Sequence, residues 1–239
     1  MNVTIVNKEP FDCKKINILD ALEESREKTV LEMREQLLHW GDNRRRIPKA
    51  TALRGQYLFF SHRLLKQRFA ESKIESLRLF ELESDIYDVL YYETQPLSIT
   101  VDGRRYTPDT GFITRSGEIY LEELKPKGFK PSVQWVDRFA ECRQHVIDLG
   151  YDDLTLRYVD ETLNRYKSLR SLYRYGQYLD FNFVSELPEK FKGSILSLSE
   201  KIDAESVIEK IYAAIFYGFI VADLEVLVSL DAEVLLGGI

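Results

Sequence analysis

The sequence predicts an α/β protein with a smaller, mainly helical domain at its C-terminal end. Two observations lead to this prediction. Over residues 1–163, strand-like runs alternate with helical segments, which is the pattern of an α/β core. Residues 164–239 are mainly helical and add only a short β-like end at 219–236. We therefore expect one domain over residues 1–163 and a second over residues 164–239.

Three segments of the first domain are predicted to be helices. In residues 18–39 the apolar side chains recur at intervals that place them on one helical face, namely Ile18, Leu22, Val30, Met33 and Leu37. Residues 61–84 are rich in Leu, Phe, Glu and Arg, a composition that favours a helix. Residues 132–149 follow a stretch broken by proline and glycine, and this helix is predicted to end before Gly150.

The strand-like runs are residues 87–92, 96–101, 105–114, 119–124 and 154–159. A turn at Arg115-Ser116-Gly117-Glu118 predicts that residues 105–114 and 119–124 form a hairpin. If residues 114 and 119 flank this turn, Asp109 lies opposite residue 124 and within one residue of facing Glu123. Because side chains alternate along a strand, Glu123 and Lys125 share one face.

Composition places the chain among ordinary globular proteins. It has 239 residues, a net charge of −6, 44% hydrophobic residues and 30% charged residues, which excludes disordered and fibrous classes. No stretch approaches ~20 uncharged apolar residues, so we expect no membrane span. The N-terminal residues lack the pattern of a signal peptide. The two cysteines, Cys13 and Cys142, are far apart and are expected to be reduced thiols in a cytoplasmic protein.

The net acidity argues against nucleic acid as a partner, but the charge is unevenly distributed. Residues 41–70 contain eight basic residues against Asp42 alone, whereas residues 201–239 are acidic. Basic segments of this kind can follow a DNA backbone, although a solvated loop remains an alternative. The acidic C-terminal part fits a protein partner better. The candidate DNA contacts are Arg44, Arg45, Arg46, Lys49, Arg54, Arg63, Lys66, Arg68, Lys127 and Lys130.

The predicted hairpin brings two carboxylates and one ammonium group together, from Asp109, Glu123 and Lys125. Carboxylates can hold Mg²⁺ or Mn²⁺, and none of the three histidines lies in a zinc-binding pattern. Such a metal ion activates water and stabilises charge on a phosphate, and a nearby lysine offsets phosphate charge. The pattern therefore indicates phosphodiester hydrolysis. The alternative is a solvated strand face that carries a weak ion pair.

Pro108-Asp109 followed by Glu123-Leu124-Lys125 is similar to the signature of the PD-(D/E)xK nucleases. Further matches occur in order along residues 65–160: Glu71-Ser72-Lys73-Ile74-Glu75 resembles an E-S-x-x-E helix motif, Gln95-Pro96 resembles a strand-opening Q-P, and Tyr106-Thr107-Pro108-Asp109 and Leu121-Glu122-Glu123-Leu124-Lys125-Pro126 complete the series. Together these motifs resemble the N-terminal domain of TnsA, the endonuclease subunit of a heteromeric cut-and-paste transposase.

This resemblance implies a restriction-endonuclease-like mixed sheet flanked by helices, and Mg²⁺-dependent cleavage of the 5′ strand at transposon ends. It implies that Glu75, Asp109 and Glu123 are metal ligands and that Lys125 is the catalytic lysine. Without the resemblance, Glu75 would be taken for a surface acid on a helix. The residues after Asp109, Thr110-Gly111, depart from the bulkier apolar residue expected there.

The resemblance also implies two protein partners, a transposase subunit and an AAA+ ATPase regulator, in the bacterial cytoplasm and at the nucleoid during transposition. The C-terminal helix, glycine and short strands suggest a winged-helix-like domain for docking such partners. Two other functions stay open at this point. The chain could be a different PD-(D/E)xK nuclease of the restriction or repair type, or a catalytically silent adaptor that binds DNA or protein.

Overall fold

The computed structural model describes residues 57–237. The predicted helix at 18–39, Cys13 and the candidate DNA contacts from Arg44 to Arg54 lie outside these residues. The strands are β1 Tyr57–Ser61, β2 Lys66–Ala70, β3 Val89–Thr94, β4 Ile99–Val101, β5 Arg104–Tyr106, β6 Thr110–Thr114, β7 Ile119–Pro126, β8 Asp153–Val159, β9 Phe191–Ser194, β10 Val221–Ala222 and β11 Glu233–Leu236. The α-helices are α1 Lys73–Ser84, α2 Val133–Asp148, α3 Asn164–Tyr173, α4 Phe181–Glu186, α5 Ile195–Ser199 and α6 Val207–Phe216, with a short 3₁₀ turn at Gly176–Tyr178.

The central sheet has the strand order β3-β6-β7-β8. Strands β3, β6 and β7 pair in antiparallel fashion, whereas β8 runs parallel to β7 after the chain crosses over through α2. Apolar side chains from the two faces of the sheet belong to two separate clusters, one shared with α1 and the other with α2. The predicted α/β class, a mixed sheet flanked by helices, is therefore confirmed.

The hairpin of β6 and β7 forms as predicted, but its register differs by one residue. Ile113 pairs with Ile119 and Thr110 pairs with Glu122, so continuing the register places Asp109 opposite Glu123 and not opposite residue 124. The turn accounts for the shift, because the Thr114 N–H donates to the Glu118 carbonyl and Gly117 takes a φ of +93°. Asp109 and Glu123 therefore lie directly opposite each other, whereas the sequence placed them one residue apart in register.

The predicted helix over residues 61–84 is wrong for its first half. Residues 57–70 form the β1–β2 hairpin, in which Phe59, Ser61, Arg68 and Ala70 are buried and alternate with exposed neighbours. This alternation is that of a strand, and it outweighs the helix-favouring composition. The helix α1 begins only at Lys73, after the Ser72 hydroxyl accepts a hydrogen bond from the Glu75 N–H at 3.2 Å.

The predicted strand over residues 105–114 is divided in two. Residues 104–106 form β5, which pairs with β4 in a small separate hairpin, and residues 110–114 form β6 of the central sheet. The break falls at Thr107-Pro108-Asp109, where proline has no N–H to donate to a neighbouring strand. Asp102 and Gly103 both have positive φ angles, +48° and +71°, and these make the tight turn of the small hairpin.

Helix α1 is buried along most of its length and carries charged side chains that all have partners. Every residue from Glu75 to Glu83 is buried. Arg78 donates two hydrogen bonds to Glu122 of β7, at 2.8 and 2.9 Å, and one to Glu81 at 3.0 Å. Glu83, fully buried, accepts hydrogen bonds from the hydroxyls of Ser61, Tyr92 and Tyr217. The helix thus links the β1–β2 hairpin, the central sheet and α6.

The C-terminal residues 164–237 combine short helices with a three-stranded antiparallel sheet of order β10-β11-β9. Strand β9 was not predicted. Leu169 of α3 and Phe216, at the end of α6, belong to the same apolar cluster as Leu79 of α1 and Phe59 of β1. One continuous core therefore joins the C-terminal elements to α1. No helix within residues 57–237 has the length and apolar character needed to cross a membrane.

The Arg78–Glu122 pair is expected to matter far more than an exposed pair on the same helix. Arg78→Met leaves the carboxylate of Glu122 buried and short of its main partner, so we expect a loss of about 3–5 kcal/mol in the free energy of unfolding. Lys73→Met is the matched control, because Lys73 pairs with Glu161 and both side chains are about half exposed, 53% and 43%. The control should cost less than about 1 kcal/mol. Urea unfolding measures both, and equal losses would contradict this assignment.

Candidate active site

Asp109 lies in the break between β5 and β6, at the end of the hairpin that continues into β7. Its carboxylate oxygen Oδ2 accepts a hydrogen bond from the Leu124 N–H at 2.7 Å, and its own N–H donates to the Glu122 carbonyl at 2.9 Å. The Asp109 carbonyl in turn accepts from the N–H of Gln95 at 2.9 Å. Strand β7 and the residue that follows β3 therefore hold Asp109, and its side chain is fixed against the backbone of β7.

Glu123 and Lys125 share one face of β7, as the alternation predicts. The Lys125 ammonium donates to the Oε1 of Glu123 and lies 5.6 Å from the centre of the Phe129 ring. The other carboxylate oxygen of Glu123 accepts from the Tyr106 hydroxyl at 2.7 Å. Glu122, one residue earlier, points to the opposite face and binds Arg78. Two adjacent glutamates thus have different environments.

Glu75 is in the first turn of α1 and is buried, not a surface acid. Its carboxylate accepts hydrogen bonds from the Ser72 hydroxyl at 2.7 Å and from the Glu71 N–H at 2.8 Å. This arrangement is a capping motif, in which an acid in the first turn satisfies donors at the helix N-terminus. Burial raises the pKa of Glu75, and the charges of Glu71 and Glu123 raise it further.

The electrostatics place Glu75, Asp109 and Glu123 in one environment. Burial raises the pKa of Asp109 to about 7, and the negative charges of Glu123 and Glu75 add to this shift. The Leu124 N–H and the Lys125 ammonium lower the pKa of the same carboxyl but do not offset the rise. Burial and the charge of Glu123 also raise the pKa of Tyr106, which therefore stays protonated and acts as a hydrogen-bond donor.

This donor set suits a hard divalent cation. It consists of oxygen ligands that repel one another, and a bound Mg²⁺ or Mn²⁺ would relieve the repulsion that raises the pKa of Asp109. Within residues 57–237, however, no three His, Cys, Asp or Glu side chains are grouped closely enough to hold a metal ion in this conformation. Both carboxylate oxygens of Glu75 accept hydrogen bonds, and Lys125 donates to one oxygen of Glu123. Ligation would therefore require the Glu75 carboxylate to turn and Lys125 to release that oxygen, while the Tyr106 hydroxyl keeps the other.

The predicted DNA contacts fall into two groups in the part of the chain that the structure describes. Lys66 and Lys130 are exposed, and Lys127 is exposed and pairs with Asp160 at 2.8 Å. Arg63 donates to the carbonyls of Leu82, Asp85 and Val89 around the end of α1, at 2.9, 3.3 and 2.6 Å. Arg68 is 3% exposed and pairs with Glu93 at 3.1 Å. The two arginine side chains are thus engaged inside the fold.

The sequence motifs did not assign a role to Tyr106. Tyr106 enters those motifs only as part of Tyr106-Thr107-Pro108-Asp109, yet its hydroxyl donates a hydrogen bond to Glu123. The spacing of the motif could have indicated this contact, because a tyrosine three residues before the aspartate can place its hydroxyl across the hairpin. Trp135 stacks on Phe139 at 5.2 Å and meets Phe129 edge-on at 5.2 Å, so an aromatic cluster also lies beside Lys125.

No protein-family model matches the chain, and no curated protein matches it.

The raised pKa of Asp109 predicts that Asp109→Asn stabilises the metal-free protein at neutral to basic pH. The folded pKa is about 7, whereas an unfolded aspartate titrates near ~3.9. The contribution of Asp109 to wild-type stability is therefore fully present below ~pH 4, is lost as the pH rises through the folded pKa, and stays absent above it. Asparagine does not ionise and keeps an acceptor for Leu124. We expect a gain of about 2 kcal/mol at ~pH 8 that vanishes near ~pH 4.

Urea unfolding in EDTA at several pH values measures this effect. Asp160→Asn is a control of opposite sign, because hydrogen bonds from Lys127 and Thr162 lower the pKa of Asp160 to about 2. Its contribution to stability is present above the unfolded pKa and is lost as the pH falls through about 2. Asp160→Asn should therefore destabilise the protein at neutral pH. An Asp109→Asn variant that is less stable than wild type at every pH would contradict the assignment.

Proposed function

We propose that this protein is a metal-dependent DNA endonuclease that hydrolyses phosphodiester bonds. The observation that carries the proposal is the pairing of Asp109 with β7, which brings its partly buried carboxylate beside Glu123 and Lys125 while Glu75 contributes to the same electrostatic environment. A structural ion pair alone would not explain this cluster, because it leaves three acids with one lysine. Such clusters of perturbed acids are typical of functional sites.

Glu75, Asp109 and Glu123 would hold the Mg²⁺, and Mn²⁺ would substitute for it. When bound, the ion would supply an activated water and would stabilise charge on the phosphate. Lys125 places a positive charge next to Glu123, where it can bind a non-bridging phosphate oxygen. Tyr106 keeps one oxygen of Glu123 oriented by its hydrogen bond. Asp109 keeps its position through the N–H of Leu124.

The order of the sequence motifs supports a more specific role for this nuclease. We propose that it is the TnsA-like subunit of a heteromeric cut-and-paste transposase and cuts the 5′ strand at transposon ends. The transposase subunit and an AAA+ ATPase regulator would be its partners. Acidic residues dominate positions 201–239, so close contact of this part with DNA is disfavoured and a protein partner fits better.

The C-terminal elements are compatible with a winged-helix-like domain. They follow the order β9, α5, α6, β10, β11, and their sheet has the order β10-β11-β9. Residues 223–232, between the last two strands, would then form the wing. The helix that reads DNA in many winged helices corresponds here to α6, whose residues Ile211 and Ala213–Phe216 are buried. This burial favours a scaffolding or docking role for the domain.

Catalysis by these residues is tested in the assembled transposition system with purified partners and Mg²⁺. Asp109→Ala and Lys125→Ala should fold normally and should lower 5′-strand cleavage by a factor of about 10³ or more. Asp137→Ala is a matched control, since Asp137 is an exposed acid on the neighbouring helix α2. Undiminished cleavage by Asp109→Ala would refute the nuclease assignment. Efficient cleavage of ordinary DNA by the isolated chain would instead indicate a restriction or repair nuclease.

Tyr106→Phe tests metal binding without reference to cleavage. The variant removes the donor that orients Glu123 and keeps the aromatic ring, so the affinity for Mn²⁺ should fall about tenfold. Tyr120→Phe is the control, because Tyr120 stacks on Phe112 on the opposite face of the sheet. Isothermal titration with Mn²⁺ measures both variants. Wild-type protein that binds no Mn²⁺, or binds it equally well after Glu123→Ala, would favour the catalytically silent adaptor.

A further inference from the structure

The small hairpin of β4 and β5 stands apart from the central sheet and ends beside the candidate active site. Its two strands pair only with each other, and the turn at Asp102-Gly103 is exposed. At its base, the hydroxyls of Ser98 and Thr107 lie 2.6 Å apart and are hydrogen-bonded. On its side, Arg138 of α2 donates to the Arg105 carbonyl at 3.4 Å. The hairpin is therefore anchored at its base and along its side.

Two arginines give this hairpin its charge. Arg104 and Arg105 are both exposed, and Asp102 is the single acid between Ile99 and Tyr106. The guanidinium group of Arg105 donates to the Ser98 hydroxyl at 2.9 Å, which holds it on the outer surface of the hairpin. Neither arginine was among the basic residues that the sequence suggested for DNA contact. Their positions follow from the tight turn, which the strand-like composition did not predict.

The same hairpin connects directly to the carboxylate site. Tyr106 is its last residue, and the Tyr106 hydroxyl binds Glu123. Arg104 is two residues earlier on the same strand, so its side chain is on the same face as that of Tyr106 and ~7 Å away along the strand. This distance is comparable with the separation between neighbouring phosphates of one DNA strand. A strand whose phosphate reaches Glu123 and Lys125 therefore passes within reach of Arg104.

We propose that the β4–β5 hairpin is a phosphate clamp in which Arg104 holds the DNA backbone next to the cleaved bond and Arg105, on the opposite face of β5, holds a second backbone phosphate. This inference rests on the proposed function, because it takes the substrate to be a DNA strand that crosses the carboxylate site. Guanidinium groups bind phosphate oxygens in a planar, bidentate geometry, and such contacts carry no sequence information. An acidic protein is the less favoured ligand, since the hairpin leads into the site where a phosphodiester is required.

The test is binding of a fluorescent DNA duplex of arbitrary sequence to the full chain, with Ca²⁺ in place of Mg²⁺ and a series of salt concentrations. The Arg104→Gln/Arg105→Gln double variant should bind about tenfold more weakly at ~100 mM salt. The slope of log K against log salt should be smaller by about 2, one unit for each lost phosphate contact. The control is Arg170→Gln/Arg174→Gln, which removes two exposed arginines from α3 and its C-cap.

Wild-type affinity and slope in the hairpin variant would overturn the proposal, as would the absence of duplex binding by the wild type at ~50 mM salt. Loss of the transposase partner with unchanged DNA binding would assign the hairpin to protein docking and would also overturn it. Thermal unfolding of each variant ensures that a folded protein is compared. Binding is measured without cleavage, so the two proposals can fail separately. If the Arg104→Gln/Arg105→Gln variant loses DNA affinity but Asp109→Ala still cleaves, the clamp is supported and the proposed catalytic site is refuted.

Discussion

The structure depends on the burial of charge along helix α1. Arg78, Glu81 and Glu83 would each cost several kcal/mol if they were buried without a partner. Each finds its partners on a different part of the chain. Arg78 binds Glu122 of the central sheet, and Glu81 binds Arg157 of β8. Glu83 binds the hydroxyls of Ser61 in the β1–β2 hairpin and of Tyr217, which follows α6. The helix is therefore stable only when the sheet, the β1–β2 hairpin and the C-terminal helices are all in place.

The same constraint gives two neighbouring glutamates, Glu122 and Glu123, different environments. Glu122 and Glu123 are neighbours on β7, and alternation sends them to opposite faces of the sheet. Glu122 meets a guanidinium group that satisfies both of its oxygens, and Thr110 donates a further hydrogen bond at 2.8 Å. Glu123 meets one lysine and a tyrosine hydroxyl while Asp109 is close by. The chain thus accepts unfavourable electrostatics at one face and neutralises the other, and the proposed activity would account for this cost in stability.

Asp109, Glu123 and Lys125 could be predicted from the sequence because they are local to one hairpin, whereas Glu75, on α1, was suggested only by the resemblance. Strand alternation puts Glu123 and Lys125 on one face, and the turn brings Asp109 opposite them; only the register, which depends on how the turn closes, differs by one residue. Residues 61–72 were mispredicted because their composition favours a helix, whereas the burial of alternate side chains against α1 favours strands. That burial is a tertiary property, and no local pattern of residue types reveals it.

The availability of basic residues for a ligand is likewise decided by the fold. Arg63 and Arg104 are chemically identical, yet Arg63 satisfies three backbone carbonyls at the end of α1 and Arg104 extends into solvent beside a two-residue turn. The last carbonyls of a helix attract cations, and so does the phosphate backbone of DNA, so a basic run in the sequence is consistent with either role. The net charge of −6 is therefore a poor guide to DNA binding. The basic side chains that can bind a ligand are those that do not already pair with buried acids or carbonyls. Around the carboxylate site these include Arg104, at the tip of the β4–β5 hairpin.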